Sequence, residues 1–179
     1  MKTRHLYDIP FVGLKNGVHD FTYEIDNEFF LDYSQPDFSD SKLQVLLQLD
    51  KQPSLFLLRF EITGTVRVSC DRCGDAFDMD VWDEFKLVVK RVEDPNAIPQ
   101  DEDPDVAYIS PTESHLHVAD WIHDFALLSI PMQHIHPDKE NGESGCNKDV
   151  LAKLARMREH SHESVNPIWK DLDKFRNAQ

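Results

Sequence analysis

Apolar and polar positions alternate through the first half of the chain, and the alternation breaks at a few readable points. In VHDFTYEIDNEFFL, residues 18–31, Phe21, Tyr23 and Ile25 fall on one side and Thr22, Glu24 and Asp26 on the other. That period of two predicts a half-buried strand across the whole stretch. A turn is expected from Tyr33 to Asp40, around Pro36. The run KLQVLLQLDKQPSLFLLRFEITGTVRVSC predicts two or three strands broken at Lys51-Gln52-Pro53, and Gly64 could mark a bulge. AFDMDVWDEFKLVVKR resumes the period, with Phe77, Met79 and Val81 on one face and Phe85, Leu87 and Val89 lining a further segment. CDRCG lies between these runs, so an antiparallel hairpin is expected with its knuckle at 70–74, Gly74 supplying positive φ.

The period changes after a composition break. VEDPNAIPQDEDPDV carries six acidic residues and three prolines, which predicts an acidic loop or mobile linker over 93–105. Structure should resume at Tyr108-Ile109, opening a mainly helical part over 106–179. Ser114 is expected to cap a helix in which Val118, Trp121, Ile122, Phe125 and Leu128 recur, until Ser129-Ile130-Pro131 ends it. Asn147 is expected to cap KDVLAKLARMREH, whose Val150, Leu151, Leu154 and Met157 make an apolar stripe. Pro167 suits the start of a third helix, with Ile168, Leu172 and Phe175 on one side. The fold class predicted is α+β: an antiparallel sheet from the N-terminal half, with C-terminal helices packed against or beside it. A single domain over 1–179 is expected.

Charge narrows the function. The net charge is -14 and the pI about 4.9, so most of the surface repels nucleic acid. Lys148, Lys153, Arg156 and Arg158 could still make a local basic surface, which marks Lys153 and Arg156 as candidate RNA contacts; solubilising an exposed helix is the plainer role. No run approaches the roughly 20 apolar residues that span a bilayer. The N-terminus lacks the apolar core of a signal peptide, so no membrane partner is expected. Three cysteines are too few for a disulfide framework, and a reducing cytoplasm is the expected location.

Candidate catalytic groups are sparse. Asp101, Glu102, Asp103 and Asp105 do not follow a calcium-loop pattern and read as a solvated acidic segment. His115 and His117 read as solvated or capping residues. Adjacent helical residues point in different directions, so His123 and Asp124 are expected to form no relay. There is no Gly-rich phosphate loop and no H-E-x-x-H signature.

The cysteines pose the sharpest question. Cys70 and Cys73 have the C-x2-C spacing that presents two thiolates to one zinc from a tight turn. Cys146 could be a third ligand, with His136, His134 or His160 the fourth. A redox pair of the thioredoxin kind should open a helix, whereas this pair is followed by Gly74 and more period-two pattern. Three small buried core residues are the remaining alternative.

The ordered landmarks GTVRVSCDRC, an acidic linker, a helix ending in LLSIP, a cysteine-bearing loop and a final NPIWKDLDKF resemble the DUF177 family. Its other name is the large ribosomal RNA subunit accumulation protein YceD family; the variant resembled is the Bacteroidetes type. The resemblance runs clearly from about residue 50 to the C-terminus and loosely over the N-terminal strands. Many members carry a second C-x-x-C after the helix, where this chain has only Cys146. The resemblance therefore implies at most one structural zinc held by Cys70, Cys73, Cys146 and a histidine such as His136. It implies a non-catalytic factor in large-subunit ribosomal RNA accumulation and ribosome biogenesis. A ribosomal protein or pre-ribosomal particle is the partner implied, and Asp101, Glu102, Asp103 and Asp105 are the expected contact with a basic protein. A direct RNA-binding module and an uncharacterised redox or hydrolytic enzyme are the alternatives.

Overall fold

The computed structural model describes residues 4–33, 36–94 and 103–163. The chain forms two compact units, one of residues 1–68 and 78–132 and a second of residues 69–77 and 133–179.

The first unit is built on a five-stranded sheet. Its strands are β2 (Gly17–Asp26), β3 (Ser39–Lys51), β4 (Leu55–Ser69), β5 (Ala76–Arg91) and β6 (Val106–Ile109), in spatial order β2-β3-β4-β5-β6. The pairings of β2 with β3 and of β3 with β4 are antiparallel. The edge strand β6 instead runs parallel to β5, placing Val88 opposite Val106 and Arg91 opposite Ile109. An antiparallel expectation thus holds for the long strands and fails at this edge. The long 92–105 connection explains it, because it has the reach to return the chain to the start of a parallel neighbour.

Alternation turns into burial strand by strand. Val45, Leu47 and Leu49 of β3 and Phe56, Phe60 and Ile62 of β4 are fully buried. The two apolar runs predicted for 77–89 belong to one strand, β5, whose Val81, Leu87 and Val89 all face inward. A register shift between Ser39 and Lys42 places the bulge in β3, where Asp40 has φ 47°. Gly64 pairs with Leu43 beside it rather than forming the bulge itself.

Residues 18–31 do not stay extended. The strand ends at Asp26, and NEFFL folds as a short helix, α1 (Asn27–Leu31). The Asp26 carboxylate accepts hydrogen bonds from the backbone N–H groups of Glu28 and Phe29, which caps the helix. Turning the chain here buries Phe29 and Phe30 together, their rings 5.5 Å apart. Asn27 Oδ1 then accepts from both the N–H and the hydroxyl of Ser41 in the β3 bulge, at 2.8 and 2.6 Å.

The inner face of the sheet is covered by aromatic residues and by α2 (Ala119–Leu128). Phe125 of α2 stacks on Phe85 at 4.6 Å and tilts against Phe60 at 5.0 Å. Ile122 and Ala126 are fully buried, whereas Leu128, expected on the inner stripe, is 67% exposed. Ser114 is not the cap: Val118 is the N-cap residue, and the Ser114 hydroxyl pairs with His115. Phe11 meets Phe56 at 4.9 Å, and Lys51 Nζ donates to the carbonyls of Phe11 and Leu14.

A two-stranded ribbon, β1 (Asp8–Ile9) with β7 (Leu116–His117), completes this unit. His117 Nδ1 lies 2.7 Å from an Asp8 carboxylate oxygen and His5 Nδ1 lies 3.0 Å from the other. The His117 hydrogen bond holds the Asp8 carboxyl below its ordinary value of 3.8, aided by His5 and opposed by burial. Such a group stabilises the fold above its unfolded pKa, and the contribution disappears as pH falls through the lowered folded value. Asp8→Asn is therefore expected to cost about 0.5–1 kcal/mol at neutral pH, discounted for the exposed partners. Urea unfolding of both proteins should show the difference closing below pH 3.8.

Candidate metal centre

The second unit draws its chemistry from the tip of the β4–β5 hairpin. Cys70 N–H donates to the Asp75 carbonyl at 2.9 Å, and Gly74 N–H donates to the Cys70 carbonyl at 2.8 Å. Gly74 sits at φ 80°, as the knuckle required. The turn leads back into β5, not into a helix, so it lacks the helix N-terminus that would activate a redox pair.

Two tethers bring a distant loop onto this turn. Asp71 N–H donates to the His134 carbonyl at 2.7 Å, and His134 N–H donates to the Asp71 carboxylate at 2.6 Å. Asn147 caps helix α3 (Lys148–Glu163) by accepting from the N–H groups of Asp149 and Val150. The same side chain donates through Nδ2 to the Asp75 carboxylate at 3.0 Å. Residues 134–147 are thus pinned to the hairpin turn at both ends.

The result is a convergence of four donors. Cys70, Cys73 and Cys146 are buried free thiols, and together with His136 their ligand atoms all lie within 4.8 Å of one another. Cys70 Sγ is 3.7 Å from Cys146 Sγ, and Cys73 Sγ is 3.5 Å from His136 Nδ1. Zinc bonds of about 2.3 Å to sulfur and 2.0–2.1 Å to nitrogen, at tetrahedral angles, put two sulfurs about 3.8 Å apart and sulfur and nitrogen about 3.6 Å apart. Those two separations match a tetrahedral zinc site, and the cluster could hold a metal ion. The 3.7 Å separation is far beyond the roughly 2.05 Å of a disulfide.

Electrostatics favour a cation in the same place. Burial opposes ionisation of Cys70, but N–H groups of His136, Cys73 and Arg72 and the His136 side chain outweigh it, lowering the thiol to about 6. Cys146 is raised, by burial first and then by the neighbouring Cys70 and Cys73 sulfurs, against a hydrogen bond with Ser144. Thiolates brought this close would repel one another, and a divalent ion removes that repulsion. Phe77, Ile135, Val150 and Leu151 pack around the sulfurs, and the Phe77 ring lies 4.4 Å from His136, fixing its orientation.

Other predicted residues fall elsewhere. His134 acts through its backbone, and its buried Nε2 has no hydrogen-bond partner among the described residues. The His160 side chain, Asp101, Glu102 and the helix predicted from Pro167 lie outside the described residues. Asp103 and Asp105 are exposed and share a local turn, Asp105 N–H donating to the Asp103 carboxylate at 3.0 Å. Lys153 and Arg156 are exposed on α3, as are Leu154 and Met157 of its stripe. His123 Nδ1 lies 3.0 Å from the Asp124 carboxylate, and its ring stacks on Tyr33 at 4.0 Å. The double role of Asn147 and the Asp71 tether to His134 left no mark in the sequence beyond residue types that suit caps and turns.

Among the described residues no helix is long and apolar enough to cross a membrane. The family model described as Large ribosomal RNA subunit accumulation protein YceD matches residues 58–176, which include all four clustered donors. No curated protein and no solved structure matches the chain.

Proposed function

Because the chain belongs to the large ribosomal RNA subunit accumulation protein YceD family, we propose that it supports accumulation of large-subunit ribosomal RNA as a non-catalytic assembly factor. In this reading one zinc ion, on Cys70, Cys73, Cys146 and His136, locks the loop before α3 to the hairpin turn. The convergence of those four donors within 4.8 Å is the observation that carries the structural half. Zinc in a closed four-ligand site supplies cross-linking and no open position for substrate. The net charge of -14 favours a basic protein over bare RNA as the direct partner.

Cells lacking the protein should show a lower ratio of large- to small-subunit ribosomal RNA, restored by the wild-type chain and not by Cys70→Ser. An unchanged ratio would sink the proposal. The exposure of Lys153 and Arg156 on α3 favours a second reading, direct RNA contact. Under that reading, binding to ribosomal RNA weakens steeply with salt and falls when both residues become alanine.

A further inference from the structure

The outer face of the sheet carries exposed side chains, and it is not uniformly polar. Alternate residues of β2 to β5 point away from the core, and four of them are large, apolar and exposed. Val18 is 57% exposed, Leu46 40%, Leu57 39% and Trp82 67%. Register places Val18 beside Asp50 and Asp50 beside Leu57, so apolar and acidic side chains interleave across the strands. Val18, Asp50, Leu57, Arg59, Lys86 and Asp105 line an open depression of about 500 Å³. A second depression of about 570 Å³ is lined by Glu24, Asp26, Lys42 and Thr63.

The charges of this face are unevenly spent. Arg59 and Lys86 both pair with Glu84, and Arg67 pairs with Asp78. Asp20, Glu24, Asp80 and Asp105 are exposed, and among the described residues no ion pair reaches them. Arg59, Lys86 and Arg67 are held by the sheet's own carboxylates, Lys42 and Lys90 are exposed outside these pairs, and Asp20, Glu24, Asp80 and Asp105 outnumber those two lysines.

We propose that this face docks a single basic, amphipathic segment of a protein partner, whose apolar side chains seat against Trp82, Leu46, Leu57 and Val18. Its Lys and Arg residues meet Asp20, Glu24, Asp80 and Asp105. The inference rests on the proposed assembly role and moves the partner contact from the acidic loop to the sheet, with Asp105 at the join. Nucleic acid does not fit, because phosphates would meet unneutralised carboxylates. A second copy does not fit either, because a two-fold interface on this patch would set acid against acid. Four strands about 4.8 Å apart with about ten residues of shared length make a strip roughly 33 by 14 Å, the footprint of one segment rather than a globular face.

The test places a photo-crosslinking p-benzoylphenylalanine at position 57 of the full chain, in cells that depend on it, and identifies the captured peptide. A Lys- and Arg-rich segment of a basic protein is the expected capture. Trp82→Ala with Leu46→Ala, or Asp20→Asn with Glu24→Gln and Asp80→Asn, should cut that capture roughly tenfold or more. Melting temperatures of these exposed-site variants should stay at the wild-type value. Capture of RNA alone, of a second copy, or of the chain's own residues would overturn the proposal, as would full capture by both variants. The two readings fail separately. If deletion lowers the ribosomal RNA ratio but both variants restore it and keep the capture, only the docking face is lost. If deletion leaves the ratio unchanged, the assembly role is lost while the captured peptide still judges the face.

Discussion

Cys70→Ser or Cys146→Ser should abolish metal binding and release α3 and the 134–147 loop from the hairpin turn, while the five-stranded sheet stays folded. Among the described residues, the buried centre of the second unit consists of three cysteines, with Phe77, Ile135, Val150 and Leu151 only partly buried against them. Four partly buried side chains supply a few kcal/mol at most, at about 25 cal/mol per Å². Structural zinc in small domains is worth about 10–16 kcal/mol at neutral pH, which exceeds the total stability of many whole domains. A serine hydroxyl does not ionise at neutral pH and leaves the ion three ligands. Elemental analysis should give one zinc per chain for the wild type and close to none for either variant. Hydrogen exchange should show Gly74 and Leu151 amides losing protection, those of Val45 and Phe60 keeping it, and a chelator reproducing this on wild-type protein. Full protection in the variants would mean that the cysteines are ordinary core residues.

How much of this was legible follows from which forces are local. The long strands could be read because a half-buried sheet needs strict alternation, and the bounds of β3, β4 and β5 follow it closely. The C-x2-C turn and the Asn147 cap could be read because a tight turn and a helix start impose residue types at fixed offsets. NEFFL could not. It continues the apolar character of the strand before it, and only the Asp26 cap and the joint burial of Phe29 and Phe30 make it helical. The parallel β6 depends on a pairing across the 92–105 connection and the two-residue β1–β7 ribbon on one across most of the first unit, and no local pattern encodes either. His136 rather than His134 joins the cysteines because backbone hydrogen bonds to Asp71 hold His134 in place, leaving the residue two further on beside Cys73. The outer sheet face escaped notice for the opposite reason. Val18, Leu46, Leu57 and Trp82 are single residues on four strands, and only the alternation within an assembled sheet puts them on one face.

Gly64→Ala should be among the most damaging substitutions in the first unit, costing about 3 kcal/mol or more, although it adds one carbon to a strand. Gly64 has φ 148°, where a side chain is strained whatever space surrounds it. Space is also missing: a Cβ there would stand 2.1 Å from the Lys42 carbonyl oxygen and 2.8 Å from Leu43 Cα. Both obstacles are backbone atoms of β3, next to the bulge that Asn27 holds through Ser41, so no side-chain rotation relieves them. The strands must separate, and Val45 and Ile62, paired immediately beyond and fully buried, lose their packing with them. Gly74→Ala offers the contrast. Its φ of 80° is also left-handed, but a Cβ there meets nothing within 4 Å, so only the conformational cost of about 1–2 kcal/mol applies. Denaturant unfolding read by circular dichroism should rank the two in that order, with zinc content unaffected by Gly64→Ala as long as the second unit stays folded. Equal costs would mean that β3 yields at its bulge, and that the close approach at Gly64 does not constrain the sheet.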